Sequence, residues 1–182
     1  MAKEYIAMNR DTRIVGQDGE LFAVIQWEHW KVHQGKMFTV GFRDAELADE
    51  GYLSILITTG ANGFHFAASL LPGGASVVHL YEAPPDVSGG TDLTAYNMAR
   101  YSTNTLLTTF KHTPTVTNEG SDDLTGNGRF VPGGDKNQTR VGGEARQGTE
   151  FVLKSNTEYL LRLQNVSGAE EQCSAVIVGY EE

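Results

Sequence analysis

Short apolar runs that alternate with polar residues recur along the first half of the chain. Residues 37–42, 52–58, 64–70 and 76–82 each follow this period of two, and Gly-, Asn- or Asp-containing turns separate them. Alternation places successive side chains on opposite faces of an extended strand. Short strands at regular spacing with turn signals between them are typical of a β-sandwich or barrel.

The C-terminal part of the chain continues this pattern. Residues 151–168 and the closing segment 173–182 predict three strands separated by Asn, Ser and Gly turns, and the last strand runs to the final residue. A terminal strand ties the chain end into a sheet. Strands do not alternate with long amphipathic helical segments, which disfavours a parallel α/β sheet. We predict an all-β fold, an antiparallel jelly-roll-like β-sandwich with long loops and little helix.

Residues 21–32 fit two patterns. Their apolar side chains could lie on one helical face, yet their β-branched and aromatic content also suits a strand. The residues that could share the helical face are Leu21, Val24, Ile25 and Trp27. Extended structure is slightly favoured for this segment.

Residues 84–148 are rich in Gly and Pro and contain few apolar runs. One clear strand is predicted at 106–110, and weaker ones at 129–131 and 139–141. A compact domain rarely contains a structureless segment of this length. We therefore expect long crossovers between the sheets and one or two projecting loops.

Length and charge limit the function. The 182 residues fit one domain, which we place at 19–182, after a polar N-terminal arm at 1–18. Fourteen basic against 23 acidic residues give a net charge of −9, which argues against direct nucleic-acid binding. No apolar run reaches the roughly 18 residues of a membrane span, and no signal peptide is evident, so we expect synthesis in the cytoplasm and no membrane partner. The single Cys173 is interpreted as a buried apolar residue.

Motifs for chemistry are few. His29 and His33 are four residues apart and would share a face on a helix or on a strand, so spacing alone does not distinguish a metal pair from structural histidines. The order His-Glu-x-x-His is absent, and the cupin metal pattern is missing around His65. No nucleophile elbow or phosphate-binding loop occurs. We predict no catalytic residues, no cofactor and no metal, and a protein that is not an enzyme.

The order of several motifs carries a family resemblance. These motifs are residues 32–38, 80–84, a Gly89-Gly90-Thr91 turn, 96–102 and 156–168 with the closing strand. Together they resemble tailed-bacteriophage virion structural proteins of the head decoration, or capsid cement, type. The chain departs from the family at 97–102, where an Asn-Arg-Asn-Arg-Ser kind of run is expected. The resemblance implies a jelly-roll-like sandwich, a structural role on a capsid and no catalytic residues.

The predicted function follows from this resemblance. The protein would sit on the capsid exterior of a virion and bridge neighbouring major capsid proteins, acting as a homodimer or homotrimer. The N-terminal arm is predicted to contact the capsid through Lys3, Tyr5, Arg10 and Arg13.

Two alternatives stay open. One is a tail, neck or fibre-base component of the particle, which would be present in far fewer copies than a cement protein. The other is a carbohydrate-binding module that uses loop aromatic residues such as Tyr96 and Tyr101.

Overall fold

The computed structural model of the chain describes residues 14–15, 21–22, 27–132, 145–146 and 150–182. The contact residues predicted for the arm are Lys3, Tyr5, Arg10 and Arg13. All four lie outside the described residues. The predicted strand at 139–141 also lies outside them.

Strands dominate the described part of the chain, and a single short helix, α1, covers Trp27–His33. The strands are, in chain order, β1 (Ile14–Val15), β2 (Leu21–Phe22), β3 (Phe38–Leu47), β4 (Tyr52–Thr58), β5 (Phe64–Pro72), β6 (Ser76–Glu82), β7 (Asp86–Ser88), β8 (Thr91–Leu93), β9 (Tyr96–Asn97), β10 (Thr109–His112), β11 (Thr115–Asn118), β12 (Arg129–Val131), β13 (Ala145–Arg146), β14 (Phe151–Leu153), β15 (Glu158–Asn165) and β16 (Glu171–Glu181).

Most of these strands form two antiparallel sheets. Sheet I has the order β12-β6-β15-β4-β10-β8, and sheet II has the order β13-β5-β16-β3-β9, with β14 also paired to β5. Two small ribbons, β1–β2 and β7–β11, complete the pairing. The predicted all-β antiparallel sandwich with little helix is confirmed.

Alternation along the strands explains the core between the sheets. In β5, Phe64, Phe66, Ala68 and Leu70 are buried, while the residues between them are partly exposed. Side chains from both sheets meet in the core, and the ring of Phe64 contacts that of Phe110 edge-on at 5.8 Å. Burying one such large side chain stabilises the fold by about 1.5–3 kcal/mol.

The C-terminal strands lie at the centres of the sheets. In sheet I, β15 pairs with β4 and β6, and in sheet II, β16 pairs with β3 and β5. Cys173 at the beginning of β16 is buried as predicted, and burial raises the pKa of its thiol.

The preference for extended structure at 21–32 is wrong for Trp27–His33, which form helix α1. The helix lies over one end of the outer face of sheet II, the face that points away from sheet I. There Lys31 forms an ion pair with Glu182, and its ammonium nitrogen lies 4.6 Å from the centre of the Tyr180 ring. The ring of Tyr180 points away from the core but is nevertheless buried, because the helix covers it.

The described part of 84–148 is shared between the two sheets. Strands β8, β10 and β12 belong to sheet I, whereas β9 pairs with β3 of sheet II. The expectation of projecting loops stays a prediction. Leu160 in β15 points away from the core, yet it is 0% exposed. Glu119 reaches over the same face to Arg162, with 3.4 Å between carboxylate and guanidinium atoms. Asp123 then pairs with Tyr81 at the edge of the sheet. The chain near residues 119–123 therefore lies over the outside of sheet I. The strand predicted at 106–110 begins later and is β10.

Candidate functional site

Two segments that carry the family resemblance, 32–38 and 96–102, lie side by side. Strand β9 pairs with the first residues of β3, so that Phe38 is opposite Asn97. Beyond this pair, the backbone N–H of Met98 donates to the carbonyl oxygen of Met37 at 2.9 Å. The short β9 thus attaches the segment after it to the end of helix α1.

Polar side chains of this second segment cap the C-terminus of the helix. Gly35 has a φ of 67° and follows the helix in the left-handed conformation that often ends helices. Its carbonyl oxygen accepts hydrogen bonds from the side-chain amides of Asn97 (2.7 Å) and Asn104 (3.0 Å). The hydroxyl of Tyr101 donates to the carbonyl oxygen of His33 at 2.9 Å. Carbonyl groups that a helix end leaves without partners are satisfied here by the loop.

Close packing accompanies this cap. A Cβ atom on Gly35 would lie 2.2 Å from the hydroxyl oxygen of Ser102, so the position has no room for a side chain. The side-chain oxygen of Asn97 also accepts a hydrogen bond from the N–H of Ala99, which is buried. Helix end and loop therefore form one hydrogen-bonded unit.

Large side chains on this unit are exposed. They are Tyr101 (76% exposed), Tyr96 (55%), Trp30 (44%) and Met98 (42%). The guanidinium carbon of Arg100 lies 5.6 Å from the centre of the Tyr96 ring. We call these five residues the helix–loop surface. Aromatic residues, Met and Arg are the types enriched at protein–protein interfaces.

The helix–loop surface continues onto the outer face of sheet II. Tyr96 is opposite Thr39, which in turn is opposite Val178 in β16. The next positions along this face are small or apolar as well, and Val176 and Leu71 are both exposed. Among the described residues, α1 covers only the Tyr180 end of this face. The outer faces of the two sheets therefore differ, since the chain near residues 119–123 lies over the outside of sheet I.

A polar cluster lies on sheet I. The guanidinium carbon of Arg162 is 3.6 Å from the centre of the Tyr52 ring. At the sheet edge, Nδ1 of His79 is 2.8 Å from Oδ2 of Asp123. Burial alone would raise the pKa of Asp123, but hydrogen bonds from His79, Thr125 and a backbone N–H outweigh burial and lower it. These contacts hold the covering chain against the sheet.

A second buried contact joins two other segments of the resemblance, 80–84 and 156–168. The hydroxyl of Tyr159 donates to Glu82 at 3.0 Å and accepts from the backbone N–H of Lys154 at 2.9 Å. Burial and the neighbouring Glu82 carboxylate raise the pKa of Tyr159 to about 12, so the phenol keeps its proton. Its role is structural, because both hydrogen bonds are internal to the sandwich.

The structure brings some of the sequence-derived candidates together. Tyr96 and Tyr101 are both exposed in the segment that packs against the end of α1, and His29 and His33 lie one turn apart on that helix. Sequence reasoning missed Trp30, because extended structure was slightly favoured for segment 21–32, whereas Trp30 lies on helix α1. No group of three His, Cys, Asp or Glu side chains that could hold a metal ion occurs within the described ranges.

No protein-family model matches the sequence, and no curated protein or solved structure is significantly similar to it. In the part of the chain that the structure describes, no helix has the length and apolar character needed to cross a membrane.

Proposed function

We propose that this protein is a structural component of a phage virion, which decorates the capsid and cements it by bridging neighbouring major capsid proteins. The observation that carries the proposal is the helix–loop surface, where exposed aromatic side chains sit on a hydrogen-bonded unit. Rigid aromatic anchors of this kind dominate the free energy of many protein–protein contacts. The sequence resemblance supplies the identity of the partner.

The strand order supports a jelly-roll fold, an architecture found in viral capsid proteins among others. One sheet contains β3, β16, β5 and β14 in spatial order, and the other contains β4, β15, β6 and β12. The last two strands, β15 and β16, are thus each inserted between strands from the first half of the chain. Because one fold serves many functions, this order supports the proposal without specifying it.

Binding at the capsid exterior would stabilise the shell by mass action. Contacts that exist only in the assembled shell lower its free energy relative to separated capsomers. A stable contact of this kind buries about 1,600 Å² in total. The helix–loop surface and the adjoining outer face of sheet II are the part of the described chain that we assign to this contact.

We further propose that the protein acts as a homodimer or homotrimer and that the arm contributes to attachment. Residues 1–13 contain three basic and two acidic residues, giving +1 against −9 for the chain as a whole. Exposed ion pairs contribute only about 0–1 kcal/mol each. Attachment through Lys3, Arg10 and Arg13 would therefore depend on several copies binding together.

A double variant, Tyr96→Ser with Met98→Ser, tests the assignment of the surface. Neither side chain takes part in the cap of α1, so the variant should fold, and it should lose binding to undecorated capsids in a co-sedimentation assay. The matched control is Phe130→Ser, which removes an equally exposed aromatic side chain from β12 on sheet I. Normal decoration by the double variant would refute the assignment.

Copy number separates cement from the tail, neck or fibre-base alternative. Densitometry of purified virions should give hundreds of copies for a cement protein and about a dozen or fewer for a tail component. Absence of the protein from virions would refute both assignments.

The exposure of Tyr96 and Tyr101 favours one further candidate, a carbohydrate-binding module, because aromatic rings bind sugars by stacking. Isothermal titration with mono- and oligosaccharides tests it. Saccharide binding that Tyr101→Ser abolishes would favour this function over cementing.

A further inference from the structure

Helix α1 places two histidines in an arrangement that the sequence left undecided. His29 and His33 are one turn apart on the exposed side of the helix, and both side chains are exposed to solvent. Their Nε2 atoms are 2.9 Å apart, and their rings are edge-on with centroids 4.4 Å apart. Without a metal, one ring donates its N–H to the lone pair of the other. The two Nε2 atoms therefore face each other at hydrogen-bonding distance.

The separation of the two nitrogens matches that of two ligands on one metal ion. Imidazole nitrogens bind divalent transition metals at about 2.0–2.1 Å. Two such ligands at a right angle around the ion are about 2.9 Å apart, and at a tetrahedral angle about 3.3 Å. The observed distance suits square-planar or octahedral geometry, and a small rotation of either ring reaches the tetrahedral value.

We propose that His29 and His33 form a two-histidine site for a late first-row divalent metal ion. Both Nε2 atoms would bind the ion, and water would fill its remaining positions. Imidazole suits copper, nickel and zinc, and affinity at a nitrogen site rises to a maximum at copper. Cu²⁺ is therefore expected to bind most tightly. The site does not depend on the proposed capsid function, because it uses only side chains of α1.

Binding should also stabilise the helix. A helix of seven residues is marginal by itself, since nucleation is unfavourable and few hydrogen bonds follow it. A metal ion that joins positions one turn apart binds the helical state and not the extended one. It should therefore raise the melting temperature in proportion to the logarithm of its concentration once the site is saturated.

The test uses the full chain without an affinity tag and titrates CuCl₂, NiCl₂ and ZnCl₂ in a buffer that does not bind metals. Isothermal titration should give one Cu²⁺ ion per chain at the helix. The electron paramagnetic resonance spectrum of bound Cu²⁺ should show coupling to imidazole nitrogen. His29→Gln and His33→Gln should each weaken binding roughly tenfold or more, because the second ligand no longer binds intramolecularly.

Two control variants test whether binding depends on the spacing of His29 and His33 or only on the number of histidines. His112→Gln removes a histidine that stacks on Phe42 elsewhere in the sandwich, and it should leave affinity unchanged. The double variant His33→Gln with Gln34→His keeps two histidines on the segment but turns the second by about 140° from the first, which should abolish chelation. Unchanged Cu²⁺ affinity in this double variant, or absence of Cu²⁺ binding by the unmodified chain, would overturn the proposal.

Discussion

Asn165 provides a sharp test of the fold, because its side chain is 0% exposed and joins three segments. Its Nδ2 group donates to the carbonyl oxygens of Leu47 (3.0 Å), Ala48 (3.1 Å) and Ala169 (2.7 Å). Its Oδ1 accepts from the N–H of Ser167 at 3.1 Å. The tripeptide 165–167 has the pattern of a glycosylation acceptor. The Asn165 side-chain amide is buried, however, and its hydrogen bonds hold the turn at 165–169 together.

Replacing Asn165 with Ala removes these hydrogen bonds and leaves three carbonyl oxygens with one partner fewer each. A typical buried hydrogen bond contributes about 0.5–1.5 kcal/mol, and a buried group left unsatisfied costs about 1–3 kcal/mol. We expect Asn165→Ala to lower the free energy of unfolding by about 2–4 kcal/mol. For a chain of this length, the melting temperature should fall by about 5–15 °C.

Asn165→Asp keeps the shape of the side chain but replaces a donor with a carboxylate oxygen that faces three carbonyl oxygens. At neutral pH it should destabilise the fold more than Ala does, because a charge is buried next to acceptors. The folded state should raise the pKa of this new carboxyl above its usual value of about 3.9. The folded state then binds a proton more tightly than the unfolded state, so stability is regained as the pH falls through the raised pKa.

Urea unfolding followed by circular dichroism measures both effects. The difference in unfolding free energy between the Asp and Ala variants should shrink from about pH 7.5 to about pH 4.5, each value being taken relative to the unmodified protein at the same pH. A difference that does not change with pH would show that position 165 is exposed to solvent. Unfolding of the Ala variant at the same urea concentration as the unmodified protein would refute the burial argument altogether.

Three further outcomes are expected. Tyr159→Phe should lower the unfolding free energy by about 1–3 kcal/mol, because Glu82 and the Lys154 N–H each lose a partner, and urea titration measures this. Removal of 176–182 deletes most of β16 from the centre of sheet II and should abolish cooperative unfolding in calorimetry, whereas a cooperative transition near the original temperature would contradict the sheet order. Deleting 2–13 should leave a folded protein that no longer binds undecorated capsids in a pull-down. If the deletion variant binds as well as the full chain, the arm does not contribute and the sandwich surface alone attaches the protein.

The sequence by itself determined the class of fold and several strands within it. The bounds predicted for β4 and β6 coincide with those of the structure, and β12 was also placed correctly. These predictions succeed because alternation is a local property. Once one face of a strand is buried, the period of two assigns every side chain to the core or to the outside.

Only the tertiary structure decided which outer faces stay exposed. Leu160 points outward and yet is fully buried, since chain that is distant in sequence covers sheet I. Residues 27–33 become helical where they cover Tyr180 and pair Lys31 with Glu182, contacts that no local pattern contains. The helix–loop surface and the approach of His29 to His33 depend on that helix. Long-range burial outweighs a weak local preference, so these features could not be obtained from periodicity alone.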